Sequence, residues 1–435
     1  MTGALSDSTR ALKVLVVGNG AREHAIAWKL AQSPRLGELL VAPGNAGTAQ
    51  VGANIAIDAE DIDGLLDFAR DNSVDFTVIG PEVPLAAGIV DKFSAAGLAV
   101  FGPTQAAARI ESSKYFAKEL MLDLGVPTGD SSTFDSYEEA REHVERSPVP
   151  VVVKADGLAA GKAVVIAKTR QAAVEALWQQ MVDKRFGSAG DRVVVEEFLT
   201  GQEISVFAFV DGLRVSQLAA ACDYKQVGEG DTGPNTGGIG AYSPPTEAFW
   251  GRDMERRVRA EIVEPVVRGL AKMGSPFTGV LYAGLMITAD GPKVIEFNCR
   301  LGDPEAQVIL PRLKTDLLEV MIRAAEGDVS TVSLEWDERP CVGVVVASGG
   351  YPGKYATGYP IEGLDTAPPN MIMFHAGTDD AQDGGHGMIV TSGGRVLTVA
   401  ALGDTLEDAR RIVYAGVDGV RFKDSFYRGD IAHIV

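Results

Sequence analysis

PKVIEFNCRLGDPE, residues 292–305, decides how the rest of the chain is read. As an extended strand with period two, it sends Ile295, Phe297 and Cys299 to one face and Val294, Glu296, Asn298 and Arg300 to the other. The first set suits a core. In the second, a carboxylate and an amide two residues apart offer the hard oxygen ligands that Mg²⁺ accepts when phosphate supplies others. One step further, the Arg300 guanidinium can grip a carboxylate or phosphate through two parallel hydrogen bonds. A half-buried edge strand with a solvated polar face would carry the same residues, so the neighbouring sequence has to decide.

Immediately upstream, residues 279–288 (GVLYAGLMIT) form an apolar strand that turns at Asp290-Gly291 into this stretch, and 252–272 has the pattern of a long amphipathic helix. Residues 228–245 (GEGDTGPNTGGIGAYSPP) are too rich in glycine and short polar residues for helix or regular strand, and are expected as a long functional loop. Before them, 204–210 and 213–220 read as a hairpin about Asp211-Gly212, with Asp223 and Lys225 just beyond. Residues 192–195 are a strand running into Glu196-Glu197-Phe198-Leu199. Such an acidic hinge can frame an adenine through backbone groups and a ribose through Glu203, or it can be a linker.

The second strong feature is PVPVVVKADGLAAGKAVVIAK, residues 148–168. Two β-rich runs flank the glycine-rich segment 156–161, with Lys154 ending one run and Lys162 opening the other. Backbone N–H groups of a loop free of bulky side chains can lie on a polyphosphate while two ammonium groups neutralise it. Ala163 after Lys162 excludes the Walker pattern; a plain hairpin with a long turn is the alternative. Helix 111–124 adds Lys114 and Lys118.

Towards the N-terminus, three apolar runs each end in a glycine-containing turn. Residues 12–17 lead to Gly18-Asn19-Gly20 and a helix, 39–41 lead to Pro43–Thr48, and 76–79 lead to Gly80–Pro84. Turns at the carboxyl ends of successive parallel strands line one crevice. Glu23 stands where a dinucleotide fingerprint has its third glycine, which weakens a dinucleotide reading and leaves a single phosphate at the helix start open; each loop alone reads better as an ordinary tight turn, and the three together favour a site. A boundary is placed near Ile110, with 99–102 as the last strand of this unit. After Glu338 the pattern changes to hairpins (341–347, 371–375, 388–391, 395–401) and one helix, 405–417, giving an α+β lobe with a boundary near Thr331.

With 435 residues, two to four domains are expected. Lys and Arg number 40 against 59 Asp and Glu, a formal charge of −19, and the basic residues form no run. Neither a nucleic acid nor a membrane is therefore expected as partner. Cys222, Cys299 and Cys341 lack CxxC spacing and a disulfide framework, which fits a reducing, cytoplasmic setting. The histidines, His24, His143, His375, His386 and His433, lack metal-ligand spacing, and no Ser/His/Asp order stands out. Residues 1–10 contain no signal-like apolar segment and are expected as a loose tail.

Together these features describe an ATP-dependent enzyme without a P-loop. GNGAREHA (18–25), APGNAGT (42–48), GPEVPL (80–85), VKADGLAAGK (153–162), EEFLTGQE (196–203), DTGPNTGGIGAYSP (231–244), VIEFNCRLGDPE (294–305) and FHAGT (374–378) form an ordered series. In it the chain resembles the ATP-grasp superfamily and, within it, the phosphoribosylamine–glycine ligase (glycinamide ribonucleotide synthetase) family of purine synthesis. The resemblance implies an α/β and α+β multidomain fold: an N-terminal parallel α/β substrate-binding domain (1–110), a central ATP-grasp domain (111–330) with a mobile lid at about 128–199, and a C-terminal α+β lobe (331–435).

It further implies that Lys114, Lys154, Gly161 and Lys162 face the phosphates of ATP, with Glu196, Glu197 and Leu199 at the adenine edge and Glu203 on the ribose. Glu296 and Asn298 would hold Mg²⁺ or Mn²⁺. Gly18, Asn19, Gly20, Arg22, Asn45, Gly47, Thr48 and Glu82 would cradle 5-phosphoribosylamine. Asp223, Lys225, Asn235, Thr236 and Arg300 would approach glycine, its activated carboxylate or the transferred phosphoryl. The implied reaction joins glycine to 5-phosphoribosylamine through glycyl phosphate, in a cytoplasmic monomer. Ala163, Gln226 and Ile239 depart from the family pattern, which has glycine, a basic residue and methionine there. Another ATP-grasp ligase or carboxylase, or a nonenzymatic ATP-binding protein, remains the alternative.

Overall fold

The apolar runs near the N-terminus are buried on both faces, the condition for a parallel sheet covered by helices. In the computed structural model, which describes residues 5, 10–158, 163–364, 370–381 and 387–433, they form a five-stranded parallel sheet. Its spatial order is Ala53–Asn54, Leu36–Pro43, Leu12–Gly18, Phe76–Ile79, Val100–Phe101. The order reverses about Leu12–Gly18. The turns after Gly18, Pro43 and Ile79 therefore emerge together at the carboxyl edge, where such sheets bind ligands.

An eight-stranded antiparallel sheet forms the centre of the molecule. It runs Gly291–Asn298, Phe277–Thr288, Gln202–Gly212, Ala219–Asp223, Gly240–Ser243, Cys341–Ala347, Arg395–Leu402, Met371–His375. Strands from both sides of residue 331 thus share one sheet. A separate four-stranded sheet, Ser131–Phe134, Val193–Glu197, Val151–Ala155, Val164–Ala167, is backed by helices Tyr137–Arg146 and Arg170–Leu177. Val144, Val153, Leu177, Val193 and Val195 close a small core of its own there. A body with its own core can shift without opening the larger ones. Among the described residues no helix is long and apolar enough to cross a membrane.

Three elements differ from the sequence reading. In the metal-strand candidate, Glu296 pairs with Gly284 but Val294 pairs with Leu285, so Ile295 is an extra residue. The bulge sends Val294 into the core with Phe297 and Cys299, and places Ile295 on the cleft side. A strict period of two cannot register an inserted residue. The expected helix 111–124 breaks at Ser113, whose extended backbone ends Gln105–Ser112 and whose hydroxyl caps Lys114–Leu124 by accepting from the Phe116 N–H at 3.1 Å.

The glycine-rich segment 228–245 also carries strands. Gln226–Gly228 pairs with Thr232–Asn235, and Gly240–Ser243 enters the central sheet. Glycine is required at 240 because a Cβ there would lie 2.7 Å from Ile431 Cδ1. Composition spoke against a strand; close packing of two layers favoured one.

Candidate active site

A cleft of ≈ 390 Å³ opens between the lysine-bearing sheet, the central sheet and the N-terminal turns. Lys114, Lys154, Glu196, Glu197, Leu199, Glu203, Asp223, Lys225, Asn235, Thr236, Glu296, Asn298, Arg300, Arg22 and Glu82 all line it. Gly18, Asn19, Gly20, Asn45, Gly47 and Thr48 do not. Gly161 and Lys162 lie outside the described residues. Sequence reasoning gave no role in the site to Glu111, Lys118, Tyr282, Asp303, Glu305 and Arg395, which also line the cleft. For Lys118 a signal existed, since it follows Lys114 by four residues and shares its helix face.

At the lysine end, Lys154 Nζ pairs with Glu196 at 2.9 Å and donates to the Ile295 carbonyl at 3.0 Å. Lys114 donates to the Gly157 carbonyl at 2.9 Å. Burial holds the Lys114 ammonium below the ordinary lysine range, against the pull of Glu296. Val152, Val164, Ile166, Met286 and Leu199 supply apolar walls suited to a flat ring.

At the opposite end, Lys225 is ion-paired with Glu203 and lies 3.6 Å from Glu296. Burial opposes ionisation of Glu296, yet Lys225, Lys154, Lys114 and Arg300 together hold its carboxyl below the ordinary range. An anionic Glu296 beside the Asn298 amide is a donor set of hard oxygens. Among the described residues no group of three His, Cys, Asp or Glu could hold a metal. A divalent cation here would draw its remaining ligands from phosphate and water, the habit of Mg²⁺. The residues fit the ion.

Arg300 Nε donates to Glu82 at 2.9 Å, and its Nη2 pairs with Glu111 at 3.0 Å and reaches Asn298 Oδ1 at 3.4 Å. Burial works against ionised Glu82, but Arg300 and Arg22 outweigh it and hold the carboxyl at about 2. Nearby, the Ser205 and Tyr282 hydroxyls each donate to Glu305 at 2.9 Å. Burial pushes the Asp223 carboxyl well up, Lys225 opposes it, and Glu305 and Glu203 add to the rise.

The N-terminal turns have an unexpected occupant. Glu23 folds back so that the Gly20 N–H donates to its Oε2 at 2.7 Å and Arg22 Nε donates to its Oε1 at 2.5 Å. A Cβ at Gly80 would lie 2.2 Å from that carboxylate, and one at Gly18 2.4 Å from Glu23 Cγ. The helix start read as room for a phosphate therefore holds the helix's own carboxylate.

Asn45 is similarly engaged. Its Nδ2 donates to the Asn19 and His375 carbonyls, both at 2.8 Å, and its Oδ1 accepts from the N–H groups of Gly47 and Thr48. This brace ties the turns to the FHAGT strand. A Cβ on Gly47 would come 2.3 Å from the His24 ring and 2.7 Å from His375 Cβ. Gly47→Ala is expected to cost about 1–3 kcal/mol, read as a lowered thermal midpoint; a parent-like midpoint would contradict the packing argument.

His24 Nδ1 accepts from the His375 N–H at 2.9 Å. Burial, then the neighbouring His375, pushes His24 down to about 3 from an ordinary 6.5, and burial pushes His375 to about 4. Both are neutral in the fold, while an unfolded chain takes up their protons. Their stabilising contribution is thus complete above about 6.5 and is lost as pH falls from there towards 4. His24→Asn keeps an acceptor without a titrating ring. Its thermal midpoint is expected to fall less steeply between pH 6.5 and 4 than the parent's; equal slopes would contradict this.

A lysine-bearing sheet facing an acid–amide strand, with an α/β domain at the cleft's mouth, defines an ATP-grasp protein. Family models for the phosphoribosylglycinamide synthetase N domain, ATP-grasp (A) domain and C domain match residues 12–111, 112–306 and 341–434. The chain belongs to the phosphoribosylglycinamide synthetase family. It is 50% identical over 426 residues to a phosphoribosylamine–glycine ligase of Allochromatium vinosum, covering 97% of this chain and 98% of that one. The crystal structure of a phosphoribosylamine–glycine ligase from Thermotoga maritima matches with a TM-score of 0.83 at 32% identity, over 97% of this chain and 100% of the other. The biotin carboxylase domain of a 2-oxoglutarate carboxylase from Hydrogenobacter thermophilus, solved with MgADP and bicarbonate, shares the fold alone: TM-score 0.72, 14% identity, 96% and 92% coverage.

Proposed function

We propose that this chain is a C–N ligase joining glycine to 5-phosphoribosylamine, with ATP converted to ADP and phosphate and glycinamide ribonucleotide as product, in purine biosynthesis. The observation that carries this reading is one cleft bounded by Lys114 and Lys154 on one side and Glu296 and Asn298 on the other, in a chain of this family.

ATP lies with its base against Glu196, Glu197 and Leu199, its ribose at Glu203 and its phosphates at Lys114 and Lys154; Gly161 and Lys162, outside the described residues, are the further candidates for phosphate binding. Glu296 and Asn298 would hold Mg²⁺ or Mn²⁺, which would supply charge neutralisation for the transferring phosphoryl. A glycine carboxylate oxygen, placed by Lys225, Asp223, Asn235, Thr236 and Arg300, attacks the γ-phosphorus. The bond to ADP breaks and ADP keeps the electron pair. The amine of phosphoribosylamine then attacks the acyl carbon, loses its proton, and expels phosphate bearing that glycine oxygen. Positioning and electrostatics carry the rate, since phosphoryl transfer needs little covalent help.

Arg22 and Glu82 reach the cleft and would meet phosphoribosylamine, with Gly18, Asn19, Gly20, Asn45, Gly47 and Thr48 shaping the turns that present them. The units 1–110, 111–330 and 331–435 divide the labour, and 128–199 closes as a lid to keep the acyl phosphate from water. The chain is taken as a cytoplasmic monomer acting on small molecules. ADP release with glycine and freshly generated phosphoribosylamine, each omitted in turn, tests the proposal. Release that requires both substrates supports it; release stimulated instead by another acid or by bicarbonate rejects it.

A further inference from the structure

Lys118 has no part in the mechanism above, yet it is only 3% exposed and lines the cleft. Its ammonium lies 3.4 Å from Glu196 Oε2 and donates to Thr128 Oγ1 at 2.8 Å and to the Gly129 carbonyl at 3.2 Å. Lys154 holds the same Glu196 oxygen at 2.9 Å. Two buried lysines therefore serve one carboxylate.

The duplication acquires a purpose when ATP enters. On the reading of this cleft as an ATP site, on which the inference rests, Lys154 turns towards the phosphates. A buried carboxylate deserted by its cation is costly, and it swings away unless another cation stays. Lys118 is fixed in place by Thr128 and Gly129, and Thr128 is itself tied to the strand bearing Glu296 by donating to the Val294 carbonyl at 2.8 Å. An ionised carboxylate only accepts hydrogen bonds. Beside a purine it takes the 6-amino group of adenine and repels the 6-oxo group of hypoxanthine or guanine.

We infer that Lys118 is a positioning residue for base selection: it keeps the Glu196 carboxylate aimed at the adenine 6-amino group, so that ATP is chosen over 6-oxopurine nucleotides. Lys118 touches neither the base nor the reacting atoms; its effect passes through Glu196.

The test compares ATP with inosine triphosphate in the parent chain, Lys118→Met and Lys118→Arg. In Lys118→Met the KM for ATP is expected to rise about tenfold, the loss of one hydrogen bond to a charged group, while the KM for inosine triphosphate moves less than about twofold. The preference for ATP collapses accordingly. Lys118→Arg, which keeps a cation beside Glu196, is expected to restore most of it. A merely structural lysine would raise both KM values by one factor, and that outcome, or no change in either, overturns the inference. Displacement of a fluorescent ATP analogue by the two nucleotides reads the same ratio without turnover, so failure of the ligase reading leaves this test standing. Should Lys118→Met not fold, Glu196→Gln reads the contact from its other side: its ATP preference must fall likewise, and an unchanged preference overturns the inference.

Discussion

Replacing Glu296 by glutamine is expected to lower ADP release by on the order of 10²–10³-fold, with circular dichroism unchanged. The shape survives because the amide is isosteric and Gly284, opposite on the neighbouring strand, leaves room for the side-chain stem, 3.2 Å from where a Cβ would be. What disappears is the charge. In the parent, four cationic side chains keep the half-buried carboxyl ionised despite the cost of its partial burial. An amide is a weaker ligand for a hard cation, and it leaves Lys225, Lys154, Lys114 and Arg300 facing one another without their shared counterion. Phosphoryl transfer depends on charge placed before the reaction starts, so the loss falls on kcat more than on substrate affinity. Turnover like the parent's would remove Glu296 from the chemistry.

The second large effect is expected from Lys154→Met, with turnover down by on the order of 10²–10³-fold and the thermal midpoint lowered as well. Lys154 is 4% exposed and joins two parts of the cleft, reaching Glu196 within its own sheet and the Ile295 carbonyl on the acid–amide strand. Methionine fills the space but leaves that carbonyl without its donor. Breaking a buried ion pair costs about 3–5 kcal/mol when the remaining charge is abandoned. Here Lys118 still reaches Glu196, so the loss of stability should fall below that range. Turnover falls because one of the two described ammonium groups at the phosphate end is gone. Unchanged turnover would reject the phosphate role, and an unchanged midpoint would reject the account of the ion pair.

The sequence spelled out the architecture wherever local patterns and tertiary demands agreed. The runs at 12–17 and 76–79 are apolar throughout because both faces of their strands are buried, and the glycine turns after them follow from parallel connections. Most of the cleft was readable too, because Lys154, Glu203 and Glu296 are charged residues on largely apolar strands and Lys225 follows the end of another.

What escaped was set by contacts distant in sequence. The bulge at Ile295 inverts the face of Val294 only through its pairing with the strand Phe277–Thr288. Gly240–Ser243 becomes a strand because Ile431 and Cys341–Ala347 pack against it. Glu23 closes a helix start that its own sequence suggested for phosphate, and nothing local says that Gly80, more than fifty residues away, makes the room. Arg395 comes from the C-terminal lobe to donate to the Gly237 and Asp303 carbonyls, each at 2.8 Å, and no periodicity announces such a reach. Ile239, where the resemblance implies methionine, is fully buried.

The most direct test of the central claim, that glycine's carboxylate takes the γ-phosphoryl of ATP before the amine attacks, is a single-turnover reaction with glycine carrying ¹⁸O in its carboxylate, followed by mass analysis of the released phosphate. One labelled oxygen in each phosphate is the predicted result. Phosphate without label would contradict it.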